Sequence, residues 1–183
     1  MVELSLFATP IGECGIAWRG DIVVATHLPE RTSLATAARL ATHTDGVEGT
    51  PPAAIQDVIS SITSLLEGQQ TDLADVECDF SALDQFAVDV YRETRAIPPG
   101  HTATYGEVAE SLGDKQLAQK VGRTLGQNPL PIIVPCHRVM GADNKLTGFS
   151  AHGGVDTKLK MLLIEGARFS EEPGLFDDLP FSP

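Results

Sequence analysis

The richest chemistry in the chain is concentrated in Pro135-Cys136-His137-Arg138-Val139. A thiol attacks well only as thiolate, from an ordinary pKa of about 8.5, and a cation, a helix N-terminus or an adjacent base must help it there. His137 follows the thiol directly and Arg138 adds charge. On an extended backbone, neighbouring side chains point to opposite faces, so adjacency alone gives no Cys–His hydrogen bond, and the base would act through a water. Taken singly, these residues also fit an inert buried thiol and a satisfied histidine.

The elements around them must do the positioning. Ile132-Ile133-Val134, fenced by Pro131 and Pro135, predicts a short buried extended segment that delivers Cys136 at its end. A helix is predicted over Thr157 to Glu165 with Leu159, Leu162 and Leu163 inward. A carboxylate at a helix C-terminus opposes the dipole, so Glu165 calls for a partner, and His137 is the candidate. Between these lies the glycine-rich stretch Leu146 to Gly154, which either closes over a ligand or merely connects.

Upstream, Leu4 to Phe7, Cys14 to Trp18 and Ile22 to Leu28 read as a β-meander, followed by helices over Ser33 to Thr42 and Ala53 to Leu66. An acidic stretch near residues 72–82 marks a boundary before a helix from about Ser81 to Arg95, burying Leu83, Phe86, Ala87 and Val90 and broken by Ile97-Pro98-Pro99-Gly100. Thr104-Tyr105-Gly106-Glu107 is a capping box, and Leu112-Gly113 a stop. Asp114 can cap a second helix over about Lys115 to Leu125, with Leu117, Val121 and Leu125 inward and Gln116, Gln119, Lys120 and Arg123 outward. Two such helices around a glycine turn suggest a helix-turn-helix, although an ordinary helical pair has the same pattern.

The net charge of −12 argues against a polyanionic partner until its distribution is read. Residues 1–80 hold three basic and twelve acidic side chains, whereas residues 81–170 hold ten and nine, so the acidity lies outside the segment with the chemistry. Charge therefore permits nucleic-acid binding without predicting it. Three cysteines, Cys14, Cys78 and Cys136, write neither a disulfide framework nor a zinc site. No run approaches the roughly 18 apolar residues of a membrane span and the start lacks an export signal, so a soluble, cytoplasmic protein is expected.

From about Phe86 to Gly166 the chain resembles the active-site domain of the O6-alkylguanine-DNA alkyltransferases, the methylated-DNA–protein-cysteine methyltransferases. Ile97-Pro98-Pro99-Gly100, Thr104-Tyr105-Gly106, Val121-Gly122, Asn128-Pro129-Leu130-Pro131, Pro135 to Val139, Gly148-Phe149-Ser150 and Leu162 to Gly166 fall in that family's order. The N-terminal half, with Thr9-Pro10-Ile11-Gly12, is similar more weakly to its ribonuclease-H-like domain. The resemblance implies an α/β (α+β) fold: a ribonuclease-H-like β-meander with helices over residues 1–78, a mainly helical winged helix-turn-helix-like domain over 79–170, and an acidic tail over 171–183.

It implies further that Cys136 is the nucleophile, polarised through water by His137, which Glu165 orients, while Asn128 holds the preceding turn. Tyr105, Val139, Phe149 and Ser150 would bind the damaged guanine, and Thr104, Tyr105, Ala118, Gln119, Lys120 and Arg123 the DNA. The partner implied is double-stranded DNA containing O6-alkylguanine, flipped out through the minor groove, with a monomer acting once and no cofactor or metal. Three features depart from the family pattern. Gln119 stands where its intercalating arginine would be, Phe149 replaces a frequent tyrosine, and Ala151-His152 form an insertion. Cys14 and His27 alone make no set of four zinc ligands. The alternatives are a lesion sensor, which the presence of Cys136 disfavours, and a paralogue with weak duplex binding.

Overall fold

The computed structural model describes residues 1–146 and 148–167; Thr147 and the expected tail over 171–183 lie outside the described residues. Strands β1 (Glu3–Thr9), β2 (Gly12–Arg19) and β3 (Ile22–His27) form the expected antiparallel meander. A short β4 (Val47–Glu48) adds in parallel to β1, giving the order β3-β2-β1-β4. Central β2 is covered on both faces. Cys14, Ile16 and Trp18 face the main core, while Ala17 joins Leu4, Ala25 and Leu40 beneath α1 (Ser33–Thr44). Gly15 lets that helix close in, because a Cβ there would lie 2.8 Å from Leu40.

Helix α2 (Ala53–Leu66) turns Ile55, Ile62, Leu65 and Leu66 into the main core, as its spacing requires. That core continues without a break into Val90, Tyr91, Val121, Leu125 and Ile133 of the second half. The next helix, α3 (Gln85–Arg95), starts four residues later than Ser81. Asp84 caps it by accepting from the Ala87 N–H at 2.8 Å, and Asp79 draws the Ser81 amide into a turn at 3.0 Å. Arg95 ties α3 back to the preceding linker by donating to the carbonyls of Leu73, Ala74 and Val76.

The pair β5 (Ala103–Thr104) and β6 (Val139–Met140) is parallel, and it sets Tyr105, the first residue of α4 (Tyr105–Ser111), beside the segment leaving Cys136. The capping box forms: Thr104 Oγ1 accepts from the Glu107 N–H and the Glu107 carboxylate accepts from the Thr104 N–H. The second helix divides into a 3-10 turn over Lys115–Leu117, capped by Asp114, and α5 (Ala118–Gly126). Gln116, Gln119, Lys120 and Arg123 are exposed and Val121 and Leu125 buried. The last helix, α6, runs Val155–Ile164.

Two expectations fail locally. Ile132-Ile133-Val134 is buried but not extended: Val134 N–H donates to the Leu130 carbonyl at 2.8 Å and Ile132 adopts φ 78. Prolines at both ends fix φ and lack donors, so a ladder strand is unavailable and a tight turn forms. On α6 the buried side chains are Lys158, Met161 and Leu162, with Leu159 and Leu163 only partly covered.

Candidate active site

Cys136 opens a 3-10 turn over Cys136–Arg138, not the end of a strand. The turn rotates His137 and Arg138 away from the thiol and into the interior, where both meet Glu165 at the C-cap of α6. His137 Nε2 lies 2.8 Å from Glu165 Oε1. Arg138 grips the same carboxylate with two donors, Nε to Oε2 and Nη2 to Oε1, both at 2.9 Å, and Nη1 donates to the Ile97 carbonyl at 2.6 Å. The charge expected of Arg138 beside the thiol is therefore neutralised behind it. Gly100 lets the Pro98-Pro99 loop seal this cluster, since a Cβ there would sit 2.9 Å from the Glu165 carbonyl.

The electrostatics follow from burial and pairing. Burial raises the Glu165 carboxyl, but the hydrogen bonds and charges of His137 and Arg138 outweigh it and hold the group at about 2. A carboxylate held that low is an acceptor only, so His137 carries its proton on Nε2. Burial lowers the His137 imidazole below its ordinary value, against the raising effect of Glu165. Its Nδ1 is buried and meets no donor or acceptor among the described residues.

Burial pushes the Cys136 thiol up; the Asn128 side chain, the Lys158 charge and the amides of Cys136 and His137 all pull the other way. Cys14, pushed up to about 12, has only Thr9 to oppose burial, and Cys78, at about 11, only Arg95. Asn128 sits at the hinge of the preceding turn, with Nδ2 donating to the Val134 carbonyl and Oδ1 accepting from the Leu130 N–H. Lys158 is fully buried, donates to the Val139 carbonyl at 2.6 Å, lies 5.9 Å from the Tyr105 ring centre, and is depressed by burial to about 8.

A cavity of about 550 Å³ opens beside Cys136, lined in part by Asn128, Pro131, Phe149 and Ser150. Of the expected guanine-binding residues, Phe149 and Ser150 thus reach the thiol's cavity, with Ser150 Oγ donating to the Gly126 carbonyl. Val139 is buried and its N–H donates to the Cys136 carbonyl within the turn. Tyr105 packs its ring over Gly122 of α5. Thr104 is engaged in the capping box, and Ala118 is half-buried. Gln119 and Arg123 project outward, whereas Lys120 is drawn back over the Phe86 ring, 3.7 Å from its centre.

Sequence reasoning missed Lys158. The signal was present, because Lys158, Met161, Leu162 and Glu165 fall at i, i+3, i+4 and i+7, one face of the helix. Among the described residues, no group of three or more His, Cys, Asp or Glu side chains is arranged to hold a metal, and no helix is long and apolar enough to cross a membrane.

A thiol lining a cavity, with Asn128 and Lys158 beside it and a buried His–Glu–Arg cluster behind, defines a site suited to a cysteine that takes part in group transfer. Residues 85–167 match the family model described as 6-O-methylguanine DNA methyltransferase, DNA binding domain. The methylated-DNA–protein-cysteine methyltransferase of Mycobacterium tuberculosis is 34% identical over 178 residues, 97% of this chain and all of the relative. The crystal structure of M. tuberculosis OGT in complex with DNA superposes with a TM-score of 0.74 at 33% identity, covering 90% of this chain and 92% of that one. O6-methylguanine-DNA methyltransferase from Pyrococcus kodakaraensis gives 0.68 at 25% identity, over 91% and 100%. The chain belongs to the methylated-DNA–protein-cysteine methyltransferase family.

Proposed function

We propose that the protein repairs DNA by moving the alkyl group from O6 of alkylated guanine onto its own Cys136, once per molecule. The observation that carries this reading is the fixed His137: Glu165 holds Nε2 and leaves the basic Nδ1 turned from the cluster. Nδ1 takes the thiol proton through a water. Asn128, Lys158 and the two amides stabilise the thiolate. The sulfur attacks the alkyl carbon opposite O6, the carbon–oxygen bond breaks, and its electron pair leaves with guanine, which takes up the proton. A thioether remains, so each molecule acts once.

In duplex DNA the target atom is stacked, so the nucleotide must be flipped at a cost of a few kcal/mol. The outward face of α5, with Gln119 and Arg123, and the start of α4, with Thr104 and Tyr105, supply the DNA surface in this reading. Glutamine can fill part of the gap left by the base but lacks the guanidinium's charge and stacking. The division into residues 1–78 and 79–170 and a cytoplasmic setting belong to the same proposal. Its test is intact-protein mass after incubation with duplex, single-stranded and free O6-methylguanine. A gain of one methylene on Cys136, absent in Cys136→Ser, is expected. Tight duplex binding without mass gain would instead make the protein a lesion sensor.

A further inference from the structure

Pro129-Leu130-Pro131 is the segment through which Asn128 reaches Cys136, and its chemistry is one-sided. Two prolines leave a single N–H, that of Leu130, which Asn128 Oδ1 already accepts. Of its three carbonyls, that of Leu130 accepts from the Val134 N–H inside the turn. The other two point to the N-terminal sheet, and one residue satisfies both. The Thr26 N–H donates to the Pro129 carbonyl at 3.0 Å and Thr26 Oγ1 donates to the Pro131 carbonyl at 2.6 Å.

The sheet presents this residue because β3 is an edge strand. Thr26 pairs with Ile16 of β2, and the outer edge of β3 is covered first by residues 77–79, through Val23, and then by the proline segment. Thr26 is 3% exposed, and it lines the same cavity as Cys136. Immediately beyond Pro131, Ile132 is held at φ 78, a conformation that a β-branched residue keeps only when its surroundings over-determine it. Asn128 grips the turn from within. Thr26 grips it from outside.

We propose that Thr26 is a positioning residue for the transfer reaction, through which the N-terminal sheet fixes the Asn128–Cys136 turn in its reactive geometry. Without the hydroxyl, the Pro131 carbonyl loses its donor, the turn relaxes, and the Asn128 and amide contacts that favour the thiolate loosen together. Displacements of about 1 Å at a reacting group cost on the order of a hundredfold in rate.

The inference rests on Cys136 being the alkyl acceptor, and Cys136→Ser with the unaltered protein tests that premise separately. In Thr26→Val, which keeps the strand N–H and the bulk, the single-turnover rate should fall by about tenfold or more. Duplex affinity should be unchanged. The pH profile of Cys136 labelling by iodoacetamide should move to higher pH, read against the titratable neighbours Lys158, Tyr91 and His137. Thr26→Ser should restore rate and profile. If Thr26→Val does not fold, Thr26→Cys, a weak donor of similar size, takes its place with the same expectations. A normal rate with an unmoved profile, or a loss that Thr26→Ser fails to restore, overturns the proposal.

Discussion

Replacing Glu165 by glutamine tests the cluster behind the thiol most directly. The carboxylate accepts three hydrogen bonds, from His137 Nε2 and from Nε and Nη2 of Arg138. An amide of the same shape offers one acceptor oxygen and turns an NH2 toward a donor. It also leaves the guanidinium of Arg138, 5% exposed, without a counter-charge. Breaking one partner of a buried pair costs about 3–5 kcal/mol. The carboxyl gives a second route to the magnitude: held at about 2 against an ordinary 4.5, it corresponds to about 3 kcal/mol of linkage. Against a total stability of about 5–15 kcal/mol, that loss should lower the melting temperature by about 10 °C and visibly shift the urea midpoint at neutral pH. The paired variant Glu165→Leu with Arg138→Met, which removes both charges, should recover part of it, because His137 Nε2 and the Ile97 carbonyl still lose their partners. A Glu165→Gln protein within about 1 kcal/mol of the original, or a paired variant no more stable than the single one, would refute the reasoning.

Acid should unfold the protein through the same cluster. Glu165 has a depressed carboxyl, so its contribution is complete above 4.5 and disappears as pH falls toward about 2. His137 is lowered too, so the unfolded chain takes up that proton first and stability begins to fall below 6.5; urea titrations across this range should show both losses. Lys158→Met should shift Cys136 labelling to higher pH and slow transfer by about tenfold or more, since it removes the cation that favours the thiolate; an unshifted profile would dissociate Lys158 from the thiol. Gln119→Arg should raise duplex binding and repair rate while leaving transfer from free O6-methylguanine unchanged, and equal duplex rates would remove Gln119 as a limit on flipping.

Where chemistry is local, the chain displayed it openly. The capping box at Thr104, the Asp114 cap, the α2 core face and the outward stripe of α5 each depend on residues within one or two turns, and each formed. The contact between His137 and Glu165 was legible because a helix-ending carboxylate requires a partner. Local pattern failed where prolines at both ends of Ile132-Ile133-Val134 converted an apolar run into a turn. It failed again on α6, where the inward face expected from Leu159, Leu162 and Leu163 leaves out Lys158, although its register matches Met161 and Leu162.

Thr26 lay beyond sequence reading for a different reason. A threonine in an alternating strand is unremarkable, and nothing at positions 129 and 131 announces that two carbonyls will need donors from a strand about a hundred residues earlier. The need becomes visible only when each backbone acceptor around the thiol is assigned a donor. That accounting also explains why the N-terminal half matters to chemistry it does not perform. The turn before Cys136 is stabilised by Asn128 on one side, and its own N–H groups are spent on Leu130 and Asn128, so the donors for the Pro129 and Pro131 carbonyls come from another part of the chain. In this fold the edge of the sheet supplies them.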